Sequence, residues 1–330
     1  MNLKCKNKIE NFLTKNNLVD NYNILELLEE QNLENIIDKL ETFPQDKLTD
    51  FALECVCEEL LITASYKIER TGMKLGLHRM EYILELFNHP EKDLKVIHVA
   101  GTNGKGSTCS YIKDVLKTKY HVGLYSSPGM LSFNDRIRIN DDFIPYKEAY
   151  RLYKEVVKVY DANNPDPSDK LSFFEIITAV ALLYFRDQKI DFVIMEVGLG
   201  GRYDGTNIFK EKLLSIITKI GLDHTAILGD SLEKIAYEKA GIIQENDNVL
   251  IYPANDSIVD VISNICKEKN AKLSILDKNN IEIKDIGAHG NKFSFRNIDY
   301  TTKMVGQHQI YNACLALAAI FNLRSRGIID

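Results

Sequence analysis

The stretch of the chain richest in chemistry is residues 97–108, Ile-His-Val-Ala-Gly-Thr-Asn-Gly-Lys-Gly-Ser-Thr. An apolar run leads straight into three glycines, a lysine and three hydroxyl residues, and a helical pattern follows. Glycines let backbone N–H groups crowd around phosphates, a lysine ammonium neutralises them, and the start of a helix adds its positive end. Asn103, Gly104, Lys105, Gly106, Ser107 and Thr108 are therefore candidates for holding a nucleoside triphosphate. The match to the phosphate-loop pattern G-x-x-x-x-G-K-[ST] is inexact. Val99 stands where the first glycine belongs, and Gly106 takes the hydroxyl position after the lysine. A plain glycine-rich turn between strand and helix is the competing reading.

Other reactive residues also fall at the ends of apolar runs. In Ser126-Ser127-Pro128 a serine hydroxyl can ligate Mg²⁺ or simply build a turn. Glu196 leaves an otherwise apolar run and opens Glu-Val-Gly-Leu-Gly-Gly-Arg. A carboxylate so placed needs a partner, for which Mg²⁺ or another cation is natural, and the glycines let backbone approach a ligand. Gly221-Leu222-Asp223-His224 offers a histidine beside an aspartate, although neutral imidazole is an unusual Mg²⁺ ligand. Glu238-Lys239-Ala240-Gly241 reads as a helix end, with Lys239 complementing the dipole and Gly241 capping. Gln309 and Asn312 share a helix face after Gly306, where amides could read a base, hold a phosphate or cap.

The elements that must position these residues are strands at 95–100, 122–125, 192–197, 214–218, 249–252 and 272–276. Helices at 107–117, 146–160, 173–187, 232–240 and 258–269 alternate with them. That alternation predicts an α/β fold, a mostly parallel sheet with helices on both faces, whose ligands gather beyond the carboxyl ends of the strands. Residues 281–304 alternate as small antiparallel strands do, and a last helix is expected over 309–323. Residues 1–62 form a helical N-terminal extension, with apolar residues such as Leu25, Leu28, Ile36 and Leu40 at helical spacing and Pro44 dividing two stretches. Residues 63–330 are expected to form the α/β domain that carries the glycine-rich loop, which the resemblance given below makes an ATP-binding catalytic domain.

The composition excludes several classes. With 45% hydrophobic and 27% charged residues and a net charge of −6, the 330-residue chain is an ordinary globular protein without a nucleic-acid footprint. Six scattered cysteines form no C-x-x-C and point to reduced thiols and a cytoplasmic location. No apolar run suits a signal peptide or a membrane span.

Taken in order, the segments resemble the folylpolyglutamate synthase/dihydrofolate synthase family of the Mur ligase superfamily. The likeness runs from about Tyr66 to Ile328. It includes Gly76-Leu77-His78-Arg79-Met80, Gly101–Thr108, Tyr125–Pro128, the run Ser132-Phe133-Asn134-Asp135-Arg136-Ile137-Arg138-Ile139, and Ser172–Glu175. It continues through Glu196–Asn207, Gly221–His224, Glu238–Ile242 and Gly306–Asn312. The resemblance implies an ATP-dependent amide ligase. Such an enzyme phosphorylates the carboxylate of dihydropteroate or of a folate's terminal glutamate, and the α-amine of L-glutamate then attacks the acyl phosphate. It implies that residues 103–108 and Asn312 hold ATP, that Ser127, Glu196 and His224 ligate Mg²⁺, and that Lys239 is carbamylated in support of a second metal. It makes Lys105, Lys239 and His224 the catalytic set, and it assigns Lys74, Leu75, Gly76, Leu77, Ser172, Phe173, Phe174, Glu175, Tyr203, Asp204 and Gly205 to the pterin pocket. Phe173 and Phe174 equally suit a helix core.

Three departures bear on these expectations. Family members continue into a second α/β domain that helps bind ATP and glutamate, and the 330 residues end at Asp330. The expectation is an absent C-terminal glutamate-ligase domain, with a partner supplying it or a nucleotide- and folate-binding remnant as the alternative. The helical extension precedes the region of likeness, and Gly129-Met130 stands where the family often has His-Leu.

Overall fold

Every residue of the strand Val96–Ala100 is buried, as a parallel strand covered on both faces must be. In a computed structural model, which describes residues 3–29, 32–69, 76–129 and 132–330, this strand lies within an eight-stranded sheet. The chain begins with helices α1 (Leu3–Asn16), α2 (Ile24–Leu27), α3 (Leu33–Leu40), α4 (Lys47–Glu69) and α5 (His78–Leu86). Strand β1 (Val96–Ala100), helix α6 (Lys105–Leu116), β2 (Val122–Tyr125), β3 (Ile137–Ile139) and β4 (Asp142–Phe143) follow. Then come α7 (Tyr146–Asn163), α8 (Phe173–Asp187), β5 (Phe192–Glu196), β6 (Leu214–Ile217), α9 (Thr225–Leu228) and α10 (Leu232–Ala240). The chain closes with β7 (Asn248–Ile251), α11 (Asp256–Glu268), β8 (Lys272–Ile275), β9 (Ile281–Gly287), β10 (Gly290–Phe295), β11 (Ile298–Thr302) and α12 (Gln307–Ser325).

The chain divides into two compact units. The larger comprises residues 75–128, 136–142 and 181–330. The strand order is β4-β3-β2-β5-β1-β6-β7-β8, with β2, β5, β1, β6, β7 and β8 parallel and β3 antiparallel to β2. The predicted mostly parallel α/β sheet is therefore present, and each predicted strand lies within a residue of its expected ends. Strands β3 and β4 were not anticipated, because runs of three and two residues are too short to show a period. Strand β1 leads leftward to β2 by way of α6, while β6 lies on its right, so the carboxyl end of β1 is a switch point at which ligands collect. Its neighbours are set by register: Val99 pairs with Glu196 and Ala100 with Ile217. The core joins Ile97, Val99, Ile112, Ile194 and Ile216 to Ile310, Leu315 and Leu323 of α12. The predicted antiparallel strands form a three-stranded sheet, β11-β10-β9, whose Phe293 and Phe295 enter the same core.

The smaller unit comprises residues 1–74, 129–135 and 143–180. The helical periodicity read from its N-terminal part is real: Leu28, Ile36, Ile37 and Leu40 are all buried, and the Phe12 and Phe51 rings stack at 4.1 Å. Helix α7 starts after Pro145 without a cap from its own segment. The Glu54 carboxylate of α4 supplies one instead, accepting from the Tyr146 N–H (2.6 Å) and the Lys147 N–H (3.1 Å). A carboxylate at a helix N-terminus satisfies orphan donors and opposes the dipole. Glu54→Ala is expected to lower stability by about 1–2 kcal/mol in urea denaturation. An unchanged midpoint would show that the cap contributes nothing.

Among the described residues, all six cysteines are buried and free, and no helix is long and apolar enough to cross a membrane.

Candidate nucleotide-binding site

The loop between β1 and α6 is held from two sides. The N–H groups of Thr102 and Asn103 donate to the Lys219 carbonyl (3.0 and 3.1 Å). The Thr102 hydroxyl donates to the Gly221 carbonyl and accepts from the Gly221 N–H, both at 3.1 Å. Gly101, at φ +144°, lies so close to Thr218 that a Cβ there would sit 2.9 Å from the threonine Cβ and overlap its hydroxyl. Gly104, at φ +88°, precedes α6 and backs onto the Asn312 amide, whose Cγ would be 3.0 Å from an added Cβ. Helix α6 consequently begins at Lys105, two residues before the expected start. On the far side, Gln309 donates to the Ser107 hydroxyl and Asn312 donates to the Gln309 side chain, both at 3.2 Å. Asn312 thus stands buried behind the loop as its support. Thr218, Lys219 and Gly221 escaped the sequence reading as partners of this loop. Their position just after an apolar strand, before Asp223-His224, was the available signal.

Two lysines converge on one carbonyl at this loop. Lys105 Nζ donates to the Gly101 carbonyl at 3.1 Å and to Thr102 at 3.5 Å, and Lys239 Nζ donates to the same Gly101 carbonyl at 3.0 Å. Lys239 is only 4% exposed. Burial brings its ammonium down to about 8, the neighbouring Lys105 charge acts in the same direction, and Asp223 and Asp204 oppose both. Two cations beside a glycine-rich loop and a helix N-terminus make a strong anion site.

The placement of Lys239 depends on two glycines. A Cβ on Gly201 would lie 2.8 Å from the Lys239 carbonyl, and one on Gly241 would lie 2.5 Å from Arg202 Cβ. The Arg202 N–H donates to the Glu238 carbonyl (2.9 Å), and Asn207 Nδ2 donates to the carbonyls of Arg202 (3.1 Å) and Gly241 (3.0 Å). Gly241 caps α10 as expected, with a right-handed φ of −60°, and its missing Cβ also permits the close approach of the 201–202 turn.

Glu196 lies against Gly106, with Oε2 3.5 Å from the position of an added Cβ. The carboxylate is 5% exposed. Burial pushes it up to about 7, while the Lys105 charge and the Ser127 N–H pull it back down. The Ser127 hydroxyl is buried without a hydrogen-bond partner in the protein, as is that of Thr108. An orphan hydroxyl beside a buried carboxylate is an oxygen donor set of the kind a hard cation such as Mg²⁺ takes. His224 is placed differently, on a turn with φ +46°, its side chain 55% exposed and its ring 3.6 Å from Asp223. Among the described residues no three His, Cys, Asp or Glu side chains converge as a metal site.

Of the candidate pocket residues, Lys74 and Leu75 lie outside the described residues. Gly76 and Leu77 precede α5, and Gly76 takes φ +128°. Tyr203 is exposed, whereas Asp204 and Gly205 are buried in the turn after β5. Ser172, Phe173, Phe174 and Glu175 belong to the smaller unit and form a capping box at the start of α8. The Ser172 N–H donates to the Glu175 carboxylate (2.7 Å), and the Glu175 N–H donates to the Ser172 hydroxyl (3.3 Å). Phe173 is buried, its ring 5.6 Å from that of Phe133.

Fold and site together define an α/β domain with a glycine-rich loop at the carboxyl end of its central strand. Residues 99–320 match the Mur ligase middle domain. The chain is 40% identical over 265 residues to the dihydrofolate synthase/folylpolyglutamate synthase of Bacillus subtilis, covering 78% of this chain and 61% of that protein. Among solved structures, the folylpolyglutamate synthase of Thermotoga maritima superposes with a TM-score of 0.71 at 30% identity, over 80% of this chain and 62% of that one. That of Mycobacterium tuberculosis, complexed with ADP and AMPPCP, gives 0.73 at 27% identity, over 82% and 63%. The chain belongs to the Mur ligase family, in its branch of folylpolyglutamate and dihydrofolate synthases. It spans about three fifths of the length of the curated relatives it matches.

Proposed function

We propose that this chain is the nucleotide-binding, phosphoryl-transferring part of an ATP-dependent ligase that joins L-glutamate to dihydropteroate or to tetrahydrofolate and its polyglutamates. The observation that carries the reading is the meeting of Lys105 and Lys239 on the Gly101 carbonyl, beside buried Glu196, at the end of the central strand. In this reading residues 63–330 are the catalytic region, and residues 103–108 cradle the phosphates of ATP.

A carboxylate is a poor electrophile, and phosphorylation gives it a leaving group. An acceptor carboxylate oxygen attacks the γ-phosphorus, the bond to the β-phosphate oxygen breaks, and ADP departs. The glutamate α-amine then attacks the acyl carbon, phosphate leaves, the C–N bond forms, and the amine gives up a proton. The protein's part is to position the reactants and neutralise charge. Lys105 holds the phosphoryl oxygens, Lys239 as a carbamate would offer oxygens to a second metal ion, and Asn312 supports the loop from behind. Ser127 and Glu196 would hold Mg²⁺, and the ion would supply positive charge to the phosphate oxygens; His224, expected as a third ligand, would have to turn in from its exposed position beside Asp223. An amine of pKa about 8 is neutral about a tenth of the time at pH 7, and neutral amine is the form that adds CO₂, so Lys239 suits carbamylation.

The test is glutamate ligation by the 330-residue chain with ATP, Mg²⁺, labelled glutamate and either dihydropteroate or tetrahydrofolate. Incorporation that is lost in Lys105→Ala supports the ligase and identifies its acceptor. ATP binding without incorporation selects a nucleotide-binding part that needs a partner domain. Failure to bind ATP overturns the proposal.

A further inference from the structure

Beneath the catalytic loop runs a buried polar chain that the proposed reaction does not use. His98, in the middle of β1, is fully buried. Its Nε2 lies 2.9 Å from the Thr206 hydroxyl, and that hydroxyl donates to Asp204 Oδ1 at 2.5 Å. The Asp204 carboxylate also accepts from the Thr206 N–H (3.0 Å) and, through Oδ2, from the Leu199 N–H (2.7 Å). A threonine hydroxyl has one proton. It is spent on Asp204, so the bond between His98 and Thr206 must run from an Nε2–H to the hydroxyl oxygen. The ring's other nitrogen, Nδ1, is buried without a partner, which suits an acceptor and would leave a donor there costly. Burial first, and then the charge of the nearby Lys212, hold the imidazole well below the usual histidine pKa.

We propose that His98 is a positioning residue whose Nε2–H donates to Thr206 and thereby fixes Asp204 and the 198–206 turn against the end of α10 that carries Lys239. The mechanical link is direct: Asp204 ties down Leu199, and Gly201 of the same turn abuts the Lys239 carbonyl. The inference goes beyond the ligase reading but takes its catalytic consequence from it.

The experiment uses the full chain with His98→Gln, His98→Asn and His98→Phe. Glutamine can place an N–H near the Nε2 position, asparagine is too short to do so, and phenylalanine offers no donor. The first readout is hydrogen exchange at the Leu199 and Thr206 amides without nucleotide or turnover. Asn and Phe are expected to speed exchange about 10- to 100-fold, with Gln within about 3-fold of the parent. The second is long-range ¹H–¹⁵N NMR of the parent imidazole, expected to show the neutral Nε2–H form. Equal exchange in all three variants, or an Nδ1–H tautomer, overturns the proposal. Should the His98 variants fail to fold, Thr206→Val breaks the same chain outside the strand, and the parent's tautomer is measured regardless. Ligation kinetics add a separate reading, with kcat expected to fall in Asn and Phe and to be rescued in Gln. Because exchange and tautomer need no substrate, a failure of the ligase assignment leaves them intact.

Discussion

Lys239→Met is expected to abolish ligation while making the protein more stable at neutral pH. The ammonium is buried, and its descent from 10.5 to about 8 means that the folded state holds that proton poorly. At about 1.4 kcal/mol per unit, the burden is on the order of 3 kcal/mol. Methionine has a similar length and no charge to desolvate, and Lys105 still serves the Gly101 carbonyl. A gain of about 1–3 kcal/mol is therefore expected at pH 7. The sign of its pH dependence follows from linkage. Below pH about 8 the lysine is charged in both states and the full burden applies. Between about 8 and 10.5 the unfolded chain keeps the proton while the folded chain releases it, so the parent gains stability and the variant's advantage shrinks. Activity should meanwhile fall by about 10²–10³-fold, the loss expected when one preorganised electrostatic group is removed from the site of a developing charge. Urea denaturation at pH 7 and pH 10 measures the first effect, and glutamate incorporation the second. A variant less stable than the parent at pH 7 would contradict the assignment of Lys239 as a residue kept for chemistry.

Gly101→Ala is expected to cost more than about 3 kcal/mol and to lower ATP affinity by about 100-fold. Two costs add: a φ of +144° strains any L side chain by about 1–3 kcal/mol, and the new methyl collides with Thr218. They can be separated. The Thr218 hydroxyl is buried and has no hydrogen-bond partner in the protein, so Thr218→Ala alone should cost less than about 1 kcal/mol. Adding it to Gly101→Ala relieves the collision but not the dihedral strain, and should recover part of the stability and little of the affinity. Denaturation and titration with a fluorescent ATP analogue measure both. Full recovery in the double variant would show that backbone conformation at Gly101 is unimportant.

The legible parts of this protein were those written locally. Parallel strands buried on both faces appear as unbroken apolar runs, so β5 and its terminal Glu196 could be read directly. The glycine-rich turn between β1 and α6 announced itself by composition. The S-x-x-E spacing of Ser172 and Glu175 also carried the signature of a capping box, which the sequence analysis passed over and the structure shows made. What could not be read were approaches between distant segments. Gly241 reads in sequence as the helix cap that it is, with nothing to show that it must also make room for Arg202. Gly104 gives no hint that Asn312 will press on it, and β3 is too short for alternation to register. His98 reads as one polar residue in a strand because its partner, Thr206, lies 108 residues onward.

The support of the phosphate loop by α12 has a bearing on biosynthesis. Ser107 and Gln309 are 202 residues apart, so the loop is translated long before the helix that braces it exists. At about 5–20 residues per second the ribosome needs roughly 10–40 s to bridge that gap. During that time Gly104 lacks its backing and the neighbouring core lacks α12. The emerging chain carries the glycine-rich loop well before that loop is braced, and its finished form arrives late, with the docking of its last helix.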